Sequence, residues 1–223
     1  MATTSSKTPV RSYGGVSATQ RVAARHERLL EAALELYGTS GFLATGVKDI
    51  CRQAGLTDRY FYESFRDSGE LFTAVFDRAT RELLRLVAQK VGEVPHDPVA
   101  QVRAAIEAFV RSLAEDPRKA RLIFVESTSA GAEVDRHIRA SLRQFADLVA
   151  ATARPHLSGM PEQTLRMGAL SLVGAIERVM IEWQDGQLEA TIDEVIDHLV
   201  QLFLIAAASA GVSRDETPLA PET

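Results

Sequence analysis

Four residues in the segment 57–62 have side chains that suit contact with a DNA groove: Thr57, Arg59, Tyr60 and Tyr62. An arginine can donate two hydrogen bonds to guanine, and a tyrosine can bond a phosphate or pack on a thymine methyl group. A threonine at the start of a helix can hold a phosphate together with backbone N–H groups. A solvated helix face would ordinarily carry Glu, Lys and Ala instead, so the segment indicates a DNA-reading surface.

The spacing of apolar residues between positions 45 and 65 predicts two short helices joined by a tight turn. Four of them recur at steps of three and four and share one face of the first helix: Val47, Ile50, Cys51 and Ala54. Gly55 can adopt the left-handed conformation that ends a helix, and the Thr57 hydroxyl is expected to cap a second helix from about Asp58. Phe61 and Phe65 would be the buried side of that helix. This is the outline of a helix-turn-helix, although a helical pair inside another all-helical protein would show the same spacing.

Positive charge is concentrated in the part of the chain that holds this pattern. The 223 residues carry a net charge of −5, with 46% hydrophobic and 25% charged residues, as is typical of a globular protein. Residues 1–66 contain nine Lys or Arg and six Asp or Glu, so this part carries +3 and the remainder −8. Such a polarity permits phosphate contacts by the N-terminal part.

Several other classes of protein lack support in the sequence. No nucleophile–base arrangement, paired catalytic carboxylates, phosphate-cradling glycine loop or His-x-x-x-His pair is present, so we expect no enzyme, no metal and no cofactor. Cys51 is the only cysteine, which excludes an intrachain disulfide. No apolar run reaches the roughly 18 to 20 residues that span a bilayer, and residues 1–20 lack the apolar core of a signal peptide. We therefore expect no membrane association and a cytoplasmic protein.

The remaining pattern predicts an all-α fold of about nine helices, because no alternating strand-like run or repeat occurs. A first helix from about Ala18 to Thr39 would brace the reading pair, with Val22 on its apolar stripe, and a fourth from Ser68 to about Val91 would lead into the body. The later helices are expected at about Pro98 to Ala114, Pro117 to Thr128, Ala132 to Ala153, Pro161 to Gln184 and Ile192 to Ala210.

We expect four segments along the chain. Residues 1–20 would be a flexible basic arm, residues 21–67 a helix-turn-helix DNA-binding domain, residues 68–210 a larger helical domain for effector binding and dimerisation, and residues 211–223 a disordered tail.

The segment from about Arg25 to Leu71 resembles the DNA-binding domain of the TetR family of bacterial transcriptional regulators. The landmarks are the LLEAALELY helix, Gly41-Phe42, Thr45 with Val47, Asp49-Ile50, Ala54-Gly55-Leu56, and Phe61-Tyr62 with Phe65. The resemblance and the residue chemistry together predict a set of DNA contacts: Thr45, Lys48, Thr57, Arg59, Tyr60, Tyr62 and Arg66. Arg66 lies in the loop where the family often has Lys, Glu63 stands where His is common, and Asp58 adds a second carboxylate.

The resemblance also implies a homodimer that pairs its last two helices and binds double-stranded DNA at a palindromic operator. Small residues on one surface of the penultimate helix would let a partner helix approach closely, although packing within one chain would explain them equally. The predicted interface residues are Gly168, Ser171, Ala175, Leu199 and Phe203.

A small-molecule effector site is expected among the body helices. The candidates for an apolar lining are Phe109, Phe124, Phe145, Met167, Met180 and Trp183, and the candidates for polar anchors are Arg178, His137 and Glu126. Because few polar groups recur at ligand spacing, a hydrophobic effector such as an acyl chain, a steroid-like compound or an aromatic drug is favoured.

These expectations combine into a ligand-responsive transcriptional regulator, a repressor that a hydrophobic small molecule releases from its operator. Two alternatives stay open. The chain would be a helical small-molecule-binding protein with a degenerate head if Asp58 and Glu63 prevent DNA recognition, or an activator or dual regulator if its operator lies differently relative to the promoter.

Overall fold

The structure is a computed structural model that describes residues 17–95, 97–126, 132–154 and 159–211. Within these ranges the chain forms nine α-helices and no strand. They are α1 (Ala18–Thr39), α2 (Val47–Ala54), α3 (Asp58–Tyr62), α4 (Ser68–Gly92), α5 (Pro98–Glu115), α6 (Pro117–Phe124), α7 (Ala132–Ala153), α8 (Glu162–Gln184) and α9 (Ile192–Gly211). The all-α prediction is confirmed. Most of the predicted arm and nearly all of the predicted tail lie outside the described residues.

The first three helices form a compact head. Ser17 and Gln20 begin α1 with a reciprocal capping box, in which each side chain accepts a hydrogen bond from the other residue's backbone N–H. Gly55, at φ +62°, ends α2 in the left-handed conformation. The expected second helix is shorter than predicted, since α3 ends at Tyr62 and Phe65 lies just beyond it. Phe65 and the buried side chains of the three helices meet in one core: Leu29, Leu30, Ala33, Tyr37, Ile50, Cys51 and Phe61.

Two local predictions about the head were wrong. Thr57 occupies the N-cap position of α3, but its hydroxyl makes no capping hydrogen bond; the backbone carbonyl of Thr57 accepts from the N–H of Tyr60 instead. Val22 does not join the buried stripe of α1, since it is 53% exposed. The first turns of α1 extend beyond the helices that cover its middle, so the apolar side chains of those turns have nothing to pack against.

The long helix α4 joins the head to the body. Asp67 caps it by accepting a hydrogen bond from the N–H of Glu70. Its first half buries Leu71, Phe72, Val75 and Phe76, and the helix packs on α1 in the head and on α5, α6 and α7 in the body. A second connection runs beside it, because α6 packs along α1. The head is therefore held to the body through two helices.

The body helices begin at the positions their caps predict. Pro98 and Pro117 are the first residues of α5 and α6, and Thr191 with Glu194 forms the capping box of α9. The helix predicted from Pro117 ends at Phe124, and Thr128 lies outside the described residues. Among the described residues, no helix combines the length and the apolar character that a bilayer crossing needs.

Candidate nucleic-acid interface and effector cavity

The outer face of α3 presents three of the predicted DNA contacts. The side chain of Arg59 is 82% exposed, and its Nε donates a hydrogen bond of 2.8 Å to Oε1 of Glu63, one turn later. Tyr62 is exposed and packs edge-on against the buried ring of Phe61. Tyr60 lies under the guanidinium of Arg25, 4.4 Å from its ring centroid, a cation–π contact. The face is therefore polar and aromatic, and it carries the cations of Arg59 and Arg25 together with the carboxylate of Glu63.

Neighbouring elements add further polar groups to this face. Lys48 and Thr57 are exposed, and Arg66 donates from Nε to Asp67 at 3.0 Å. Arg52, on α2, pairs with Asp49 at 2.6 Å. The hydrogen bond from the Gly46 N–H, followed by the one from Arg52, holds the pKa of Asp49 below its usual range. Arg25 was not among the predicted DNA contacts, since no local pattern marks which arginine of α1 lies beside α3.

Thr45 was predicted to contact DNA, but it does not lie on this face. It is only 8% exposed, and its hydroxyl donates a hydrogen bond of 2.7 Å to the carbonyl of Gly41. The side chain therefore fixes the turn before α2 in place of contacting DNA. A hydroxyl near a helix start suits either use, and only the packing of the turn decides between them.

A cavity of about 330 Å³ lies in the body, between α4, α5, α6, α7 and α8. Its inner wall is apolar and includes three of the predicted aromatic residues, Phe109, Phe124 and Phe145, with 5.4 Å between the ring centroids of Phe109 and Phe145. His137 also lines it, with Nε2 2.6 Å from Oδ1 of Asp77. The other polar lining residues are Thr80, Arg81, Ser141 and Gln144. An apolar volume with a polar side suits an amphipathic molecule.

The other predicted effector residues lie elsewhere. Met180 is fully buried in the core, and Trp183 donates from Nε1 to the carbonyl of Ala190 at 2.8 Å. Arg178 is on the surface in an ion pair with Glu182. Met167 lies in a different groove, described next, and Glu126 is buried against the head. Helical periodicity could not separate these residues from the cavity lining, because it does not show which apolar face meets a cavity and which meets another helix.

A second, larger depression of about 530 Å³ is a groove between α7, α8 and α9. Gly168, Ser171, Ala175 and Phe203, four of the predicted dimer residues, line this groove. The fifth, Leu199, was wrongly assigned: it is fully buried within its own chain and belongs to the main core. Large apolar side chains are exposed at or beside the groove: Met167, Leu170, Leu202 and Ile205. In the described part of the chain, no group of three or more His, Cys, Asp or Glu residues is arranged to hold a metal ion.

Comparison with known proteins shows what the head and the whole chain are similar to. Residues 29–75 match the family model described as bacterial regulatory proteins, tetR family. The transcriptional activator FasR of Mycolicibacterium smegmatis, of helix-turn-helix type, is 27% identical over 177 residues, which cover 79% of this chain and 80% of FasR.

Two solved structures share the fold over most of their length. The regulator FadR from Bacillus subtilis in complex with stearoyl-CoA has a TM-score of 0.71 and 14% identity, covering 81% of this chain and 98% of FadR. AibR in complex with isovaleryl coenzyme A and operator DNA has a TM-score of 0.64 and 18% identity, covering 80% and 97%. The family model, the relative and the shared fold agree with the helix-turn-helix geometry. The head of this chain, over residues 29–75, is therefore a helix-turn-helix of the tetR family of bacterial regulatory proteins, and most of the chain is similar to a transcriptional regulator with that type of head.

Proposed function

We propose that this protein binds a palindromic operator as a homodimer and is released from it when an amphipathic acyl ligand enters the α4–α8 cavity. The observation that carries the proposal is the position of the cavity: its wall includes residues of α4 and α6, the two helices that also pack on α1 of the head. Residues 21–67 serve as the DNA-binding domain in this proposal, and residues 68–210 serve effector binding and dimerisation.

The DNA contacts in this proposal come from the exposed face of the head. Lys48, Thr57, Tyr60, Tyr62 and Arg66 hold the phosphate backbone, and Arg59 reads a base. Glu63 accepts only the Nε hydrogen of Arg59, and among the described residues neither terminal nitrogen of Arg59 donates a hydrogen bond. Those two nitrogens carry four of the five donor hydrogens of the guanidinium, so both remain available to O6 and N7 of a guanine.

The cavity supports an acyl thioester as the ligand. FadR was solved with stearoyl-CoA and AibR with isovaleryl coenzyme A, which makes acyl-CoA the first class to test. A cavity of about 330 Å³ has room for about ten heavy atoms at roughly 30 Å³ each. Arg81, His137 and Gln144 offer hydrogen-bond donors to a thioester or phosphate. We therefore propose a saturated acyl chain of about eight to twelve carbons.

The homodimer rests on the α7–α9 groove. Two large apolar side chains of its lining, Met167 and Leu202, are exposed, and Leu170 and Ile205 are exposed on the same two helices, which is unusual for a surface that faces only water. Gly168 and Gly174 have no other group within 4 Å of where a Cβ would be, so the outer surface of α8 is open to a second helix. Two heads held by such a dimer read half-sites about 34 to 36 Å apart.

Activation is the second candidate for the direction of regulation, since the relative FasR is named an activator. The first experiment is selection of binding sequences from random double-stranded DNA with the purified protein, with Arg59→Ala as the control. We expect enrichment of a palindrome by the natural chain and a changed or lost half-site position with the variant. A folded dimer that enriches no sequence would support the helical small-molecule-binding protein with a degenerate head.

A further inference from the structure

Two buried polar side chains hold the same turn of the head. Within the described residues, Thr45 and Glu126 are the only polar or charged residues buried to this degree. Thr45 binds the carbonyl of Gly41 from inside the head, as described above. Glu126 comes from the body, where it follows α6, and it is only 7% exposed. Oε2 of Glu126 accepts a hydrogen bond of 2.8 Å from the N–H of Phe42.

A second residue of the body holds the other side of this turn. Arg121 donates from Nε to Oε1 of Glu126 at 3.1 Å and from Nη1 to the carbonyl of Thr39 at 3.0 Å. The ion pair therefore bridges from the end of α1 to the first residues of the connection to α2. A buried Glu126 carboxylate without these donors would be strongly unfavourable, so the hydrogen bonds that Glu126 accepts from Phe42 and Arg121 resist separation.

The turn itself is shaped to receive the carboxylate. Gly41 has φ +93°, and a Cβ there would lie 3.2 Å from both oxygens of Glu126. A side chain at position 41 would therefore meet both strain and the carboxylate. The ring of Phe42 packs between Tyr37 and Phe72, at centroid distances of 5.3 and 5.2 Å. A displacement of Glu126 must consequently displace the backbone that leads into α2.

Glu126 also lies close, along the chain, to the α4–α8 cavity. Ile123 and Phe124, in the last turn of α6, form part of the cavity wall. Only Val125 separates Phe124 from Glu126 along the chain. A molecule that fills the cavity would therefore contact the last turn of α6, and Glu126 lies two residues beyond that turn.

We infer that Glu126 is a positioning residue for DNA recognition: its carboxylate fixes the turn at Gly41 and Phe42, and through it the filling of the α4–α8 cavity reaches the reading helices. This inference rests on the proposed function for the identity of the cavity as the effector site. It does not depend on which ligand fills that cavity.

The experiment fills the cavity without a ligand. Ala140, on α7, lines the cavity, and Ala140→Phe adds a ring there, with Ala140→Leu as a milder variant if the first fails to fold. Arg143→Phe adds a ring to the exposed side of the same helix as a matched control. Each is made in the natural chain, in Glu126→Ala and in Glu126→Gln, which keeps an acceptor for the Phe42 N–H. The readouts are amide hydrogen exchange of residues 39–46 and affinity for the selected operator.

We expect filling the cavity to change exchange in residues 39–46 severalfold and operator affinity about tenfold in the natural chain. Both responses should disappear in Glu126→Ala and return, at least in part, in Glu126→Gln, while Arg143→Phe gives neither. A purely structural role for Glu126 would not produce this rescue of the response.

Two results would overturn the inference: an equal response to filling in Glu126→Ala, or no change in residues 39–46 when a folded Ala140 variant fills the cavity. Titration of the operator complex with decanoyl-CoA is recorded separately. If decanoyl-CoA has no effect while filling acts through Glu126, the proposed ligand is wrong and the connection stands.

Discussion

Gly38 gives the most direct test of how closely the head and the body pack. It lies near the end of α1, and a Cβ on it would be 2.4 Å from Cβ and 2.7 Å from Cα of Arg118 in α6. Ordinary carbon contacts are about 3.5 to 4.0 Å. Because the atoms that would clash belong to the backbone and its first side-chain carbon, rotation of Arg118 cannot relieve them. Gly38→Ala must therefore push α6 away from α1.

The sign of the effect follows from two opposing magnitudes. Glycine to alanine inside a helix normally stabilises by about 0.5 to 1 kcal/mol. Overpacking a closed contact costs about 1 to 3 kcal/mol. The clash should win, because displacing Arg118 also disturbs its hydrogen bonds to Glu35 and Asp116, at 2.7 and 2.8 Å. We expect a net loss of about 1 to 2 kcal/mol in the free energy of unfolding.

The assay is chemical denaturation of the natural chain and the variant at equal protein concentration. Gly92→Ala is the matched control, since Gly92 lies in α4 and nothing is within 4 Å of its added Cβ. This control should be neutral or stabilise by up to about 1 kcal/mol. A Gly38→Ala variant as stable as Gly92→Ala would refute the close α1–α6 contact and, with it, the tight coupling of α6 to the head.

Three further predictions concern separate parts of the molecule. Glu63→Ala should raise affinity for non-specific DNA, because it removes a negative charge, and should lower the preference for the operator several-fold, because Arg59 becomes free to rotate. Glu63→Gln should retain more of that preference; an unchanged ratio of operator to non-specific affinity in a salt-controlled binding assay would contradict the orienting role of Glu63. Gly168→Leu should shift sedimentation toward monomer without unfolding the chain, whereas an unaltered dimer would place the interface elsewhere. Burial, followed by the charge of Asp58 and a hydrogen bond to it, raises the pKa of the Cys51 thiol. The unfolded thiol therefore loses its proton first, and the free energy of unfolding should fall as pH rises past the unfolded thiol pKa of about 8.5. Cys51→Ala should flatten that pH dependence in denaturant titrations.

The fold could be predicted from sequence to the extent that its signals are local. The starts of α5 and α9 follow from Asp97-Pro98 and the Thr191 capping box, because a cap satisfies backbone groups within one turn. Helix α6 starts at Pro117 as predicted, although the Asp116 side chain makes no capping hydrogen bond. The exposed face of α3 follows from two buried phenylalanines four residues apart.

Contacts between distant segments could not be predicted in this way. Glu126 meets Phe42 across 84 positions, and nothing near either residue marks the pair. Leu199 and Phe203 lie on the same helix at helical spacing, yet one is fully buried in the core and the other lines the groove. How deeply each of two residues on one helix face is buried is decided by the neighbouring helices, and periodicity is the same for both.

In the proposed function, occupancy of the α4–α8 cavity changes operator affinity. The most direct measurement is the operator dissociation constant at increasing concentrations of saturated acyl-CoA, with chains of four to eighteen carbons and free coenzyme A as the control.

A coupled pair of sites must also show reciprocity, so operator DNA should weaken acyl-CoA binding by the same factor that acyl-CoA weakens operator binding. We predict a factor of roughly 5 to 150, greatest for chains of about eight to twelve carbons. Acyl-CoA that binds in the cavity and leaves operator affinity unchanged at every chain length would contradict the account.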